Sequence, residues 1–140
     1  KSNSLIDKLL YNDIVSTVEF AYMANGAQSF PHTDGLKKIL SLLLYFPDED
    51  VSEEVNKDLG TAFYSSNEFA LTAEDVKNKT STLEKVKKFK ERNKIACTFP
   101  FKKKSMFGFI KSHKSWHSVE PIKVHDNFIR KNININLLLV

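Results

Sequence analysis

The chain has 140 residues, 41% hydrophobic and 27% charged, with a formal net charge of +4 and a single cysteine. That length predicts one domain, and no run approaches the roughly 18 apolar residues that a helical membrane span needs. Cys97 alone excludes an internal disulfide and predicts a reducing, cytoplasmic setting; in Ile-Ala-Cys-Thr-Phe it is expected to be a buried, inert thiol. Leu5 to Tyr11 carries apolar residues at helical intervals behind a Ser4 cap, and Asn12-Asp13 ends it. Ile14 to Met23, rich in β-branched and aromatic residues, predicts a strand. Asn25-Gly26 then predicts a hairpin turn, with the strand returning through Phe30 and His32. No secretory leader is visible. The opening at Lys1 and the apolar close at Leu137-Leu138-Leu139-Val140 lead us to expect a piece of a longer protein.

His32-x-Asp34 stands at the end of that returning arm. Side chains in a strand repeat with period 2, so an imidazole and a carboxylate point to one side. That is two-thirds of a 2-His-1-carboxylate set, which holds Fe(II) and leaves positions open. Gly35 allows a turn, and Ile39 to Phe46 is nearly all apolar, which predicts a strand covered on both faces. Pro47-Asp48-Glu49-Asp50 ends it, and Val51 to Asp58 is an acidic connection. Gly60 to Tyr64 predicts a short strand, and Ser65 to Glu68 a loop.

Leu71 to Arg92 is polar, with helix-start signatures at Thr72-x-x-Asp75 and Ser81-x-x-Glu84 and a thin apolar stripe at Val86 and Phe89. It predicts a helical insertion, residues 65–94, between two strand-rich halves. Ile95 to Phe101 and Met106 to Ile110 predict strands, and Ile129 to Leu137 alternates with period 2. Many short strands at short spacing predict a mainly β domain over residues 1–140, an antiparallel barrel or sandwich rather than βαβ units.

Four histidines are present. His113 and His117 have the helical spacing of a zinc site, but no Glu follows His113, and the serines around them disfavour a helix. His125 lies in a polar Val-His-Asp-Asn loop and is expected to be solvated. His117 follows Trp116 at a strand entrance, which suits a ring held at a cleft.

His32-Thr-Asp34, then Ser115-Trp116-His117-Ser118-Val119-Glu120-Pro121, then Arg130 on the last strand, resembles the 2-oxoglutarate/Fe(II)-dependent oxygenase superfamily, nearest its prolyl-4-hydroxylase-like branch. The resemblance spans about Phe20 to Asn136 and implies a double-stranded β-helix, a cupin-like jelly-roll of eight core strands with flanking helices, here shortened at its N-terminal front. It implies Fe(II) on His32, Asp34 and His117, and Arg130 on the distal carboxylate of 2-oxoglutarate. O2 is implied as cosubstrate and ascorbate as an auxiliary reductant. An Arg fork suits a carboxylate better than the point charge of Lys. Relatives carry a Tyr near the position of Tyr22, lining the pocket, although a packed core Tyr explains that residue equally. Some relatives also use a Tyr on the strand after His-x-Asp. Here Leu44 takes that position, and Tyr45, one step off, is expected to face the other way. Halogenating members replace the carboxylate with a small residue, so Asp34 favours hydroxylation. The substrate, a small molecule or a protein side chain, is not identified by these residues, and the polar insertion is expected to face it.

Two rival readings remain. Lys85 to Lys114 concentrates eleven Lys and Arg residues against Glu84 and Glu91, so a basic β-rich binding module for nucleic acid or an acidic partner is one. No RNA motif, zinc-finger spacing or helix-turn-helix accompanies these lysines, which disfavours nucleic acid and favours a solvated helix face. The other is a catalytically silent β-helix kept for assembly. No membrane partner is expected.

Overall fold

A computed structural model describes residues 13–47, 52, 55, 58–65, 79–124 and 127–140. The helix expected over Leu5 to Tyr11, the start signature at Thr72-x-x-Asp75 and the solvated His125 lie outside the described residues. The described chain is mainly β. Its strands are β1 (Ile14–Ala24), β2 (Ser29–His32), β3 (Lys38–Tyr45) and β4 (Thr61–Ser65), followed by the helix α1 (Lys79–Arg92) and then β5 (Lys94–Phe99), β6 (Met106–Ile110), β7 (His117–Val119) and β8 (Ile129–Leu139). Among the described residues no helix is long and apolar enough to cross a membrane.

The strands form two antiparallel sheets of four, in the orders β1-β8-β3-β6 and β2-β7-β4-β5. The first strand therefore pairs with the eighth, the second with the seventh, the third with the sixth and the fourth with the fifth. The Asn25-Gly26 turn forms as expected: the Ala27 amide donates to the Ala24 carbonyl at 3.0 Å, and Gly26 adopts φ 79°. It is not a hairpin, however. All eleven residues of β1 find partners along β8, from Ile14 opposite Leu139 to Ala24 opposite Ile129. The four-residue β2 could satisfy few of those backbone groups and pairs with β7 in the other sheet instead.

Alternation then decides what faces inward. Arg130, Asn132, Asn134 and Asn136 of β8 line a cavity between the sheets with Ser41 and Leu43 of β3. Beyond Arg130 a dry cluster of Tyr45, Leu59, Phe101, Ile122 and Phe128 forms the core. A second cluster joins Tyr64, Phe89 and Trp116, with Phe89 4.8 Å from the Trp116 ring and 5.1 Å from Tyr64. The stripe of Val86 and Phe89 thus anchors α1 against the sheet behind His117, and a 2.6 Å Lys90–Glu120 ion pair adds to it. Gly60 is required where the chain enters β4, because a Cβ there would lie 2.3 Å from the Phe99 carbonyl oxygen. Cys97 departs from expectation: it is exposed. It lies on β5, which pairs with β4 on one side and with no other strand among the described residues, so an apolar sequence is not enough to bury it.

Candidate metal centre

β2 ends and β7 begins at the same level, with His32 directly opposite His117. The pairing of β2 with β7 shifts register between Ser29 and His32, the kind of irregularity that re-aims a side chain. The two rings approach to 4.3 Å between centroids. Asp34 follows two residues after His32, and one ligand atom from each of His32, Asp34 and His117 lies within 4.8 Å of the others. Bonds of about 2 Å to one cation would bring them closer still, which small side-chain rotations supply.

Both imidazoles are oriented in the same way. His32 Nδ1 lies 2.7 Å from the Phe30 carbonyl and His117 Nδ1 lies 2.9 Å from the Ser115 carbonyl. A carbonyl only accepts, so each Nδ1 carries a proton and Nε2 is the ring atom each histidine turns toward a metal. His117 is 9% exposed. Burial, then the neighbouring His32, lowers its pKa to about 4, so it stays neutral at pH 7, as a ligand must. For Asp34 burial acts upward. The hydrogen bond from Lys38, the nearby His117, the charge of Lys38 and the Ser41 hydroxyl outweigh it and hold the carboxyl below its usual value. Lys38 Nζ lies 3.0 Å from Oδ1, and the Ser41 hydroxyl donates to Oδ2 at 3.1 Å. The walls beside His117 are aromatic, with Phe109 at 4.7 Å and Phe63 at 5.5 Å between ring centroids.

Arg130 lines the same cavity, of about 320 Å³, and is 2% exposed. Its Nε donates to the Leu59 carbonyl at 2.7 Å, Nη1 to Asn132 Oδ1 at 2.6 Å and Nη2 to Thr61 Oγ1 at 3.4 Å. Its guanidinium sits 5.0 Å from the Tyr45 ring centroid and 5.3 Å from that of Phe101. These partners are all neutral. Burial therefore lowers the Arg130 pKa, with Tyr45 opposing, and the guanidinium remains a buried cation beside a cavity.

Two tyrosine expectations change. Tyr22 does not reach the cavity: it is 79% exposed on the outer face of β1, while its neighbours Ala21 and Met23 line the inside. Strand parity is the reason. Tyr45 faces inward with Ser41 and Leu43, and its hydroxyl lies 2.6 Å from Thr61 Oγ1, beside Arg130. Burial raises its pKa, so the phenol is neutral and can donate. The tyrosine that flanks the guanidinium is thus Tyr45, not Tyr22, and Leu44 faces away. Lys38, Ser41 and Thr61 also line the cavity, and their signals in the sequence are faint: Ser41 is the one aliphatic hydroxyl in the apolar run Ile39 to Phe46, and Lys38 lies four residues past Asp34. His113 is exposed and joins no group of possible metal ligands among the described residues. No protein-family model matches the chain, and no curated protein matches it either.

Proposed function

We propose that this protein is an Fe(II)- and 2-oxoglutarate-dependent dioxygenase that hydroxylates an unactivated C–H bond. The observation that carries the reading is the convergence of His32, Asp34 and His117 within 4.8 Å, with a buried guanidinium on the wall of the same cavity. The donor chemistry fits the metal: two imidazoles presenting Nε2 and one carboxylate suit Fe(II), and among the described residues no thiol joins the group. The strand order supports a double-stranded β-helix, because pairing each strand with its mirror in the sequence, alternately in two sheets, is how an eight-stranded jelly-roll is wound.

When bound, Fe(II) with 2-oxoglutarate and O2 supplies the oxidation, in which 2-oxoglutarate yields succinate and carbon dioxide and the substrate gains a hydroxyl. The chain's own groups orient and exclude. Arg130 would hold the distal carboxylate, aided by the Tyr45 and Thr61 hydroxyls. Thr61 lies two residues along β4 from Phe63, which is paired with His117, so that anchor sits about 7 Å along the strand from the histidine level. That suits a five-carbon dicarboxylate. Phe109, Leu43 and Val119 keep the wall between them apolar.

The test is binding of Fe(II), or of Mn(II) as a redox-stable substitute, followed by succinate release from 2-oxoglutarate across candidate substrates. Asp34→Ala and His117→Ala are expected to weaken metal binding more than about 100-fold, beyond the 10–100-fold cost of losing an outer partner, and to end turnover. Equal metal binding by wild type and both variants would sink the reading. The rival basic binding module rests on Lys85 to Lys114 and predicts salt-sensitive affinity for a polyanion that Asp34→Ala leaves intact.

A further inference from the structure

The proposed function makes no use of Lys38. It opens β3 four residues beyond Asp34, holds Oδ1 at 3.0 Å, and its side chain is only 21% exposed. It also lines the cavity. A cation bound through Oδ1 would lie within about 5 Å of this ammonium, at a separation where like charges repel strongly unless a third charge intervenes. Ser41 donates to the other oxygen, so shifting to Oδ2 trades one conflict for another.

The charge of the lining sharpens the point. Two cationic side chains, Lys38 and Arg130, and two carboxylates, Asp34 and Glu19, line the cavity. That set is neutral by itself. A divalent metal leaves two positive charges over, and a dianion cancels them. Either ion alone leaves the cavity charged, whereas the pair keeps it neutral.

Resting on the metal reading above, we infer that Lys38 couples the two binding events: it opposes a metal that arrives alone and favours a metal that arrives with a dicarboxylate. The coupling is reciprocal, so the metal strengthens dicarboxylate binding by the factor that the dicarboxylate strengthens metal binding. Lys38 is a positioning and gating residue in this scheme, acting through Asp34 and the field of the cavity, and it carries no step of the reaction.

The experiment titrates Mn(II) into the purified protein by calorimetry, with and without saturating 2-oxoglutarate, for wild type, Lys38→Met, Lys38→Arg and His117→Ala. Lys38→Met is expected to bind Mn(II) alone about tenfold more tightly than wild type and to lose about tenfold of the enhancement that 2-oxoglutarate brings. Lys38→Arg, which keeps the charge, should behave as wild type does. Direct chelation of the metal by 2-oxoglutarate adds the same factor to every variant that holds metal, so the difference between proteins isolates Lys38. Mn(II) binding by Lys38→Met that is unchanged or weaker, or an enhancement equal to that of wild type, overturns the inference and leaves Lys38 as a strut for Asp34. If His117→Ala binds Mn(II) as wild type does, the metal reading fails and this inference goes with it.

Discussion

On one side of β8 stand Arg130, Asn132, Asn134 and Asn136; on the other stand Ile129, Ile133, Ile135 and Leu137. The polar set is the inner one: Arg130 is 2%, Asn132 4% and Asn136 1% exposed. Across the same sheet Phe20 and Tyr22 of β1 are 79% exposed and Met106 of β6 62% exposed, all on the outer face. A sheet that merely closed a dry core would be the other way round. The difference shows where the dry core stops. Dry packing occupies the end built by Tyr45, Leu59, Phe101, Ile122 and Phe128, and the rest of the interior between the sheets is a cavity lined largely by polar side chains. Those polar groups satisfy one another: Arg130 donates to Asn132, Asn132 Nδ2 to Asn134 Oδ1, and Ser41 lies 3.0 Å from Asn136. A hydroxyl has one proton, and Ser41 also sits 3.1 Å from Asp34 Oδ2. The consistent arrangement turns the Asn136 amide so that its Nδ2 donates to Ser41 and Ser41 donates to Asp34, which also gives the otherwise unpartnered Nδ2 an acceptor.

Three changes would break or sharpen this contrast. The largest effect is of pH on the metal-free protein. His117 has a folded pKa of about 4 against 6.5 for the free side chain, so between those values the unfolded chain binds a proton that the folded one does not. Stability is therefore full above about pH 6.5 and falls as pH drops to about 4, by up to about 3 kcal/mol. Asp34, lowered from 3.8, adds a further loss only as pH falls through its still lower folded value. Urea unfolding in a chelator checks this, and His117→Gln should flatten the slope across that window; a slope that survives the substitution would assign it elsewhere.

Next is Arg130→Met. Removing a buried charge regains desolvation energy while stranding the Leu59 carbonyl and Asn132 Oδ1, so the opposing terms leave stability within about 1 kcal/mol of wild type. Affinity for 2-oxoglutarate in the metal-loaded protein should fall about 10–100-fold, because one charge-assisted pair is worth about 1.5–3 kcal/mol. Loss of several kcal/mol of stability with unchanged affinity would make Arg130 a structural residue. The smallest effect is Phe20→Ser on the outer face, expected within about 0.5 kcal/mol in the same unfolding assay. A cost above about 2 kcal/mol would mean that this face is covered in solution.

Much of the secondary structure was legible, because backbone period writes itself into local sequence. The strands β1, β3, β4 and β8 follow from β-branched runs or alternation, and α1 from a sparse apolar stripe on a charged helix. The ligand candidates were also legible, because His-x-Asp on one arm and His117 at a strand entrance are local patterns. The errors share a cause. The Asn25-Gly26 turn was readable while its strand pairing was not, since eleven partners a hundred residues away outweigh a four-residue neighbour. Composition alone puts Cys97 inside, and the resemblance puts Tyr22 at the pocket and Leu44 rather than Tyr45 at the cosubstrate, whereas strand pairing decides otherwise.

The sequence by itself determined which residues alternate, where turns fall, and which side chains have the chemistry to hold a metal or a carboxylate, since these depend on neighbours a few bonds away. Only the tertiary structure decided which alternating face turned inward, that Tyr45 rather than Tyr22 meets Arg130, and that Lys38 pairs with Asp34. Those outcomes depend on strand pairings that span the whole chain. A period-2 pattern is symmetric between its two faces until a partner strand and an opposing sheet choose one.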